Sequence, residues 1–319
     1  MGLGNSVRRL MLGGTEVALV VALVGLMASP AAAAKPGKGG GSGGQSVPTG
    51  VDVSYPQCGS ALPSGEAFAI VGVNDGLAND LNPCFGPSAD YPAYSQSELY
   101  WAVASSTGAT AQPKASLYVN TADPGNSYAG APVADWPTSG STPYGQCTTT
   151  TLSTTSGSYT VGSNSPACAW EYGLDKASQD ASWLASAGAD INGQAPPLTV
   201  STLPGSYPWW LDVETANTWQ SGSQGQAMNV ADLQGMVYAL QQSAVPTSAI
   251  GVYSTSSQWD DITGGTSQSS GSLYGLADWI PGARTLSQAE SNCALGSFTG
   301  GRVALTQWSG HTGDSDYSC

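Results

Sequence analysis

Two carboxylates two residues apart, Asp212 and Glu214, lie in the segment WWLDVE, which follows a Pro/Ser/Gly-rich stretch. Aromatic and branched residues after such a stretch predict a buried strand over 209–214. Because side chains alternate along a strand, Trp210, Asp212 and Glu214 share one face. Neighbouring carboxylates oppose each other's ionisation, and burial beside tryptophan raises their pKa values further. Such a pair keeps one acid protonated and one ionised near neutral pH, as general acid catalysis requires.

The D-x-E pattern is weak by itself, because an acidic chain of this length contains about one or two such pairs by composition. Other acids join it at the ends of further predicted strands. Asp52 lies near the end of a strand over 50–54, and Asp314 and Asp316 follow a strand over 302–308. In α/β barrels the catalytic groups lie at the C-terminal ends of the strands, so these acids are predicted to meet.

The elements that would position these acids alternate in type along the chain. Further strands are predicted at 67–73, 115–120, 250–254 and 277–280. A first helix is predicted over 97–105, with Ser95 or Ser97 as its cap. A second is predicted where apolar residues recur at helical spacing from Trp170 to Leu184. A third is predicted to be capped by Asn229 and to end before Pro246. Strands alternating with helices over about 270 residues predict an α/β fold, a single TIM-like (β/α) barrel.

Residues 125–167 interrupt this alternation with a long Ser/Thr/Gly-rich excursion. A structureless loop of that length is unusual, so we predict a disulfide-tethered hairpin insertion with little core of its own. Six cysteines in an exported chain predict three disulfides, with 15 connectivities open. Sequential pairing is the simplest of them: Cys58–Cys84, Cys147–Cys168 and Cys293–Cys319.

The N-terminal region has the pattern of an export signal. Arg8 and Arg9 precede an apolar run at 17–27 and small residues up to Ala34, which predicts a signal peptide over 1–34. The adjacent arginines leave a twin-arginine route open beside the general one. Residues 35–49 are predicted to be a Gly/Ser/Pro linker and 50–319 the barrel domain. We therefore expect a secreted or cell-wall protein, monomeric and without a membrane anchor after cleavage.

Charge and composition exclude several classes of function. A net charge of −14 without a basic cluster argues against nucleic acid and against an anionic membrane surface. The sequence has no C-x-x-C motif, and its one histidine is His311, so we expect no metal and no cofactor. A chain rich in Ser, Thr, Gly, Asn and Gln suits a neutral polar partner such as a polysaccharide.

Three motifs in register resemble glycoside hydrolase family 25. They are GVDVS at 50–54, LDVE at 211–214, and TQW at 306–308 followed by DSD at 314–316. The resemblance implies a flattened, irregular β/α barrel. It also implies a secreted muramidase that cuts the β-1,4 bond between N-acetylmuramic acid and N-acetylglucosamine in peptidoglycan.

Carried over by position, the resemblance implies that Glu214 is the proton donor to the leaving oxygen. Asp212 would stabilise the oxocarbenium-like centre directly, or orient the substrate's N-acetyl group as nucleophile. Asp52 matches the family's acid at the end of the first strand. Asp314 matches its last site acid, with Asp316 as the alternative. The candidate sugar-binding residues are Trp210, Tyr118, Asn120, Asn74, Tyr253, Trp308 and Asp316.

The sequence departs from the family at two strand ends. Asn74 and Asp75 replace a K-A-T/S-E-G-like ending, and Tyr118-Val119-Asn120 replaces an aromatic-His pair. A non-catalytic cell-wall glycan-binding protein on the same barrel is therefore the alternative to the enzyme. A purely structural cell-surface protein would explain the polar composition but not three acids in register.

Overall fold

The computed structural model describes residues 48–53, 56–75, 78, 80–309 and 314–319. The predicted signal peptide, all but the last two residues of the predicted linker, and His311 lie outside the described residues. Across the described part of the chain, no helix combines the length and apolar character needed to cross a membrane.

Short strands make up most of the described elements. In chain order they are β1 (Gly50–Val53), β2 (Ala69–Gly72), β3 (Ala115–Asn120), β4 (Ser127–Tyr128), β5 (Ala131–Pro132), β6 (Gly140–Thr142), β7 (Gly145–Cys147), β8 (Thr149–Thr154), β9 (Gly157–Gly162), β10 (Trp209–Asp212), β11 (Ile250–Tyr253), β12 (Ala277–Ala283), β13 (Val303–Ser309) and β14 (Asp314–Ser318).

The α-helices lie between these strands. They are α1 (Glu98–Ser105), α2 (Pro166–Gly193), α3 (Gly222–Gln242), α4 (Ser256–Thr263) and α5 (Leu286–Asn292). Four of them begin after a Ser or Thr whose hydroxyl accepts a hydrogen bond from a backbone N–H of the first turn, at Ser97, Ser165, Thr255 and Thr285. This interaction satisfies a donor that the helix itself leaves without a partner.

In the described part of the chain, eight strands close into a barrel in the order β1-β14-β13-β12-β11-β10-β3-β2. Neighbouring strands are parallel except for β14, which pairs antiparallel with both β13 and β1. The predicted barrel is confirmed. No strand was predicted after Trp308, whereas the barrel closes through β14, which places Asp314–Ser318 in the sheet.

Two hydrophobic cores lie on opposite faces of the barrel strands, because side chains alternate between the faces of a strand. Leu211 and Val213 belong to the core between the barrel and its helices, whereas Trp210 belongs to the core inside the barrel. The predicted face for Trp210 and Asp212 is thereby confirmed. Gly251 makes room for the indole, since a Cβ atom there would lie 2.2 Å from Cζ3 of Trp210.

Residues 125–162, all of them described, fold as three antiparallel hairpins, β4–β5, β6–β7 and β8–β9. The excursion has more core than the sequence indicated. Trp136 and Cys147 are buried in a separate cluster against α2, and the Trp136 ring lies 5.2 Å from that of Tyr172. All three predicted disulfides are confirmed, and Cys147–Cys168 links this excursion to the first turn of α2.

Helix boundaries differ most from expectation at α3. Asn229 is not its cap but a fully buried residue in its second turn. Its Nδ2 atom donates to the backbone oxygens of Gln220, at 2.9 Å, and Ile262, at 2.8 Å. Asn commonly satisfies backbone groups at helix starts. Here it satisfies backbone groups of two other segments.

Candidate active site

A cavity of about 270 Å³ opens at the C-terminal ends of the parallel strands. Its position follows the rule that loops at this end of a β/α barrel form the site. The lining residues are Asp52, Tyr118, Asn120, Asp212, Glu214, Ala216, Asn217, Tyr253, Trp279 and Gln307.

Asp212 is the last residue of β10 and lies at the inner end of this cavity. Its backbone oxygen accepts hydrogen bonds from Thr121 Oγ1, at 2.6 Å, and from Asn217 Nδ2, at 3.2 Å, which fix the end of the strand. Burial raises the pKa of the Asp212 carboxyl well above its ordinary value, and the charges of Glu214 and Asp52 raise it further. A side-chain hydrogen bond from Asn217 acts in the opposite direction.

Glu214 lies two residues beyond Asp212, on the loop to α3, and is half-buried. Burial raises the pKa of its carboxyl, and a hydrogen bond with Gln258 on α4 lowers it. The Oε1 atom of Gln258 accepts from the Thr215 backbone N–H, at 2.7 Å, and from the Thr215 hydroxyl, at 3.1 Å. Because that oxygen is engaged, the amide group of Gln258 is the donor to Glu214.

A chain of hydrogen bonds crosses the cavity from β11 to β1. The Tyr253 hydroxyl donates to Gln307 Oε1 at 2.8 Å, and Gln307 Nε2 donates to Asp52 Oδ1 at 3.0 Å. Burial raises the pKa of Tyr253, and the neighbouring carboxylates, Glu214 first, raise it further. The hydroxyl of Tyr253 therefore stays protonated and remains a donor.

The structure brings Asp316, rather than Asp314, beside Asp52. Asp316 lies on β14 and is fully buried, and its Oδ1 atom accepts from Trp279 Nε1 at 2.8 Å. Burial is the largest cause that raises the pKa of Asp316 well above its ordinary value. The charge of Asp52 and a hydrogen bond with Asp52 raise it further. Asp314 lies at the start of β14, half-buried and paired with Ser309.

The polar residues predicted at the second and third strand ends are linked to each other. Asn74 Oδ1 accepts hydrogen bonds from the backbone N–H of Asn120, at 2.8 Å, and from Asn120 Nδ2, at 3.0 Å. Asn74 Nδ2 donates to the backbone oxygen of Asn120 at 3.0 Å. Asn120 thus lines the cavity, and Asn74 holds it in position from behind. Tyr118, also in the lining, donates to the Val53 oxygen at 3.2 Å.

Two of the predicted sugar-binding tryptophans lie away from the cavity. Trp210 packs against Trp279 inside the barrel, with ring centroids 5.8 Å apart, and lines a second cavity at the amino ends of the strands. Trp308 follows Gln307, so the alternation of β13 directs it to the opposite face of the strand. Neither position suits a stacking platform for a sugar bound at Glu214.

Sequence reasoning missed several residues that the structure brings to the site. Gln307 and Trp279 line it, and Gln258 positions Glu214 from α4. The alternation of β13 contained a signal for Gln307, because buried Leu305 lies on the same face two residues earlier. Nothing in the local pattern marks Gln258, since its role depends on how α4 packs.

The site is a cluster of carboxyl groups with amide and phenol donors around them. Among the residues that the structure describes, no set of three or more Asp, Glu, His or Cys side chains is arranged to hold a metal ion. Acid–base chemistry by carboxyl groups of different burial is what this arrangement can supply.

Comparison with known sequences gives no match to a protein-family model and none to a curated protein. Among solved structures, the chain is similar to a muramidase from Trichobolus zukalii. The TM-score is 0.40 at 15% sequence identity, and the alignment covers 86% of this chain and 94% of that one. We transfer no residue role from that protein.

Proposed function

We propose that this protein is a secreted glycoside hydrolase that cleaves β-1,4 bonds of peptidoglycan or a related N-acetylated glycan. One observation carries the proposal: Asp212 and Glu214 line one cavity at the C-terminal end of a barrel, and burial raises the pKa of both. A buried carboxyl pair of this kind retains a proton at pH values where an exposed pair is fully ionised.

In the proposed reaction Glu214 donates its proton to the glycosidic oxygen as the bond from that oxygen to the anomeric carbon breaks. Asp212 lines the same cavity. Its carboxylate stabilises the positive charge that develops on the sugar, or orients the N-acetyl group that attacks the anomeric carbon. Water then adds to that carbon, and its proton returns to Glu214.

The remaining cavity residues would bind and orient the sugar. The Tyr253 hydroxyl donates its proton to Gln307 and can accept a hydrogen bond from a sugar hydroxyl. Asn120 and Asn217 provide amide groups, so neutral hydroxyl and acetamido substituents find partners. Asp52 and Asp316 share a hydrogen bond deep in the barrel. The charge of Asp52 raises the pKa of Asp212, so it favours retention of a proton on the neighbouring pair.

The test is an assay of the purified protein on isolated cell walls. We expect turbidity to fall and new reducing ends to appear on N-acetylmuramic acid, identified after borohydride reduction. New ends on N-acetylglucosamine instead would keep the hydrolase and change the bond. Absence of new ends would contradict the proposal.

A second candidate function, a glycan-binding protein without turnover, is favoured by the Asn74–Asn120 pair. This pair occupies two strand ends where the resembled family has other residues, including an acid on the second strand. Binding to cell walls without new reducing ends, unaffected by Glu214→Gln and Asp212→Asn, would support that candidate.

A further inference from the structure

A third cavity, of about 440 Å³, lies beside the hairpin excursion. Its lining includes the side chains of Asn126, Tyr128, Asn164, Trp219, Gln220 and Gln224. We call this cavity the hairpin groove. The proposed reaction makes no use of it.

The β4–β5 hairpin forms one edge of the hairpin groove and presents an aromatic ring there. Ala129 and Gly130 at its turn have φ values of 50° and 80°, as a two-residue type I′ turn requires. Tyr128, just before the turn, is 59% exposed. Asn126 ties the hairpin to β9, since its Nδ2 atom donates to the Gly162 oxygen at 3.0 Å.

The floor of the hairpin groove is a fixed row of polar groups. Asn164 Nδ2 donates to Gln220 Oε1 at 2.7 Å, and Gln220 Nε2 donates to Asp123 Oδ1 at 2.8 Å. The backbone of Gln220 is held by Asn229, which bonds both its N–H and its oxygen. These amides are therefore oriented before any ligand arrives, which reduces the entropic cost of binding.

The hairpin groove adjoins the candidate active site through one loop. Glu214, Ala216 and Asn217 line the first cavity, and the next four residues, 218–221, line the groove. The Trp219 indole Nε1 donates to the backbone oxygen of Glu214 at 2.9 Å. A ligand in contact with Trp219 would thus lie next to the loop that bears the proposed acid.

The chemistry of the hairpin groove indicates its ligand class. The lining side chains that the structure describes are amides, hydroxyls, aromatic rings and small apolar groups, all neutral. Amides that match hydroxyl groups, together with aromatic rings that cover C–H faces, suit a saccharide, whereas an ionic ligand would find no opposite charge in the lining.

We propose that the hairpin groove is a glycan-binding subsite remote from the cleaved bond, added to the barrel by the hairpin excursion. Its ligand is a further stretch of the strand whose bond lies at Glu214. The choice of that ligand rests on the proposed function. The protein would then act on long glycan strands in preference to short oligosaccharides.

The test is Tyr128→Ala, with Tyr159→Ala as its matched control. Tyr159 is an exposed tyrosine of the neighbouring β8–β9 hairpin, outside the groove. We expect Tyr128→Ala to lower kcat/KM on long soluble glycan strands about three- to tenfold, through KM, and to leave tetrasaccharide hydrolysis unchanged. Gln224→Ala should give a smaller change in the same direction, and Tyr159→Ala none.

Two results would overturn the subsite. One is unchanged kcat/KM for Tyr128→Ala and Gln224→Ala on long strands. The other is an equal loss on long and short substrates, which would indicate damage to the fold or the acid. Should the wild type hydrolyse nothing, the proposed function fails, and sedimentation with insoluble cell walls tests the groove separately. The subsite then requires that Tyr128→Ala binds several-fold more weakly than Tyr159→Ala, and equal binding overturns it.

Discussion

Among the described residues, two clusters of carboxyl groups withdrawn from solvent differ in what surrounds them. The first, at the barrel mouth, contains Asp52, Asp212, Glu214 and Asp316. The second, packed around α2 and α3, contains Asp123, Asp180 and Asp232 with Lys176. We call them the mouth cluster and the interhelical cluster.

In the interhelical cluster, as in the mouth cluster, burial is the largest cause of raised carboxyl pKa values. It raises the pKa of Asp180 and Asp232 well above the ordinary value and that of Asp123 to about 6. Within the described residues, neither carboxyl oxygen of Asp180 or Asp232 has a hydrogen-bond partner. The charge of Lys176 lowers the pKa values of Asp180 and Asp232 and so opposes the effect of burial there. The Lys176 Nζ atom also forms a salt bridge with Asp135.

A raised carboxyl pKa therefore indicates burial and does not by itself indicate a catalytic site. The mouth cluster differs because three of its acids, Asp52, Asp212 and Glu214, line an open cavity together with polar groups such as the Tyr253 hydroxyl. The interhelical cluster lies where Gly173 allows the backbones of α2 and α3 to approach closely. A Cβ atom at Gly173 would lie 1.9 Å from the backbone oxygen of Asp232. Substitutions in the mouth cluster should therefore change activity, and substitutions in the interhelical cluster should change stability.

The largest expected effect is that of Glu214→Gln on turnover. The amide keeps the shape but has no transferable proton, and general acid catalysis contributes about 10²–10⁴-fold. We expect kcat on cell walls to fall at least a hundredfold, with binding retained. Glu290→Gln, an exposed acid on α5, is the control. Wild-type turnover in Glu214→Gln would remove Glu214 from the mechanism.

Next in size is the effect of Lys176→Met on stability. Removing one partner of a buried charged group costs about 3 kcal/mol or more, so urea unfolding at pH 7 should show a loss of that order. The loss should be smaller at pH 4, where the carboxyl groups are protonated and need no cation. Activity of the folded variant should match the wild type. Lys114→Met, at an exposed position, should cost little, and equal stabilities for both variants would contradict the role of Lys176.

Asp123→Asn should reduce the pH dependence of stability. The pKa of Asp123 is about 6 in the folded state, against about 3.9 when unfolded, so the folded state binds more protons between these values. Its contribution is therefore fully present below pH 4 and is lost as the pH rises through 6. The asparagine stays neutral, so the free energy of unfolding of the variant should exceed that of the wild type by up to about 3 kcal/mol at pH 7 and match it near pH 4. Thermal melts across this range would contradict the prediction if the two curves run parallel.

The smallest expected effect is that of Asp212→Asn on the pH profile. The charges of Asp212 and Glu214 interact, so loss of the negative charge at Asp212 makes Glu214 easier to ionise. The basic limb of kcat against pH should move to lower pH, with a fall of about tenfold at the optimum. The exposed Asp190→Asn should leave the profile unchanged. An unmoved basic limb would show that Asp212 and Glu214 titrate independently.

The parts of the fold that depend on local pattern could be predicted from the sequence. The alternation of WWLDV placed Asp212 inside the barrel and Leu211 outside it, and sequential pairing gave the three disulfides. The strand at 314–318 could not be predicted, because DSDYS has little strand propensity and pairs only when the barrel closes on both sides of it. Gln258 was missed, and Asn229 was wrongly predicted as a cap, for the same reason, since their partners come from distant segments.

The antiparallel β14 has a consequence for how the protein folds. It joins β13 to β1, so the hydrogen bond from Gln307 to Asp52 spans 255 residues of sequence. Contacts at such separation form late, because the loop-closure entropy must be overcome before they stabilise the chain. We therefore expect the barrel mouth to be completed late in folding. A chain in which β1 and β14 have not yet paired would hold most of its helices and strands and still lack the complete cluster of acids.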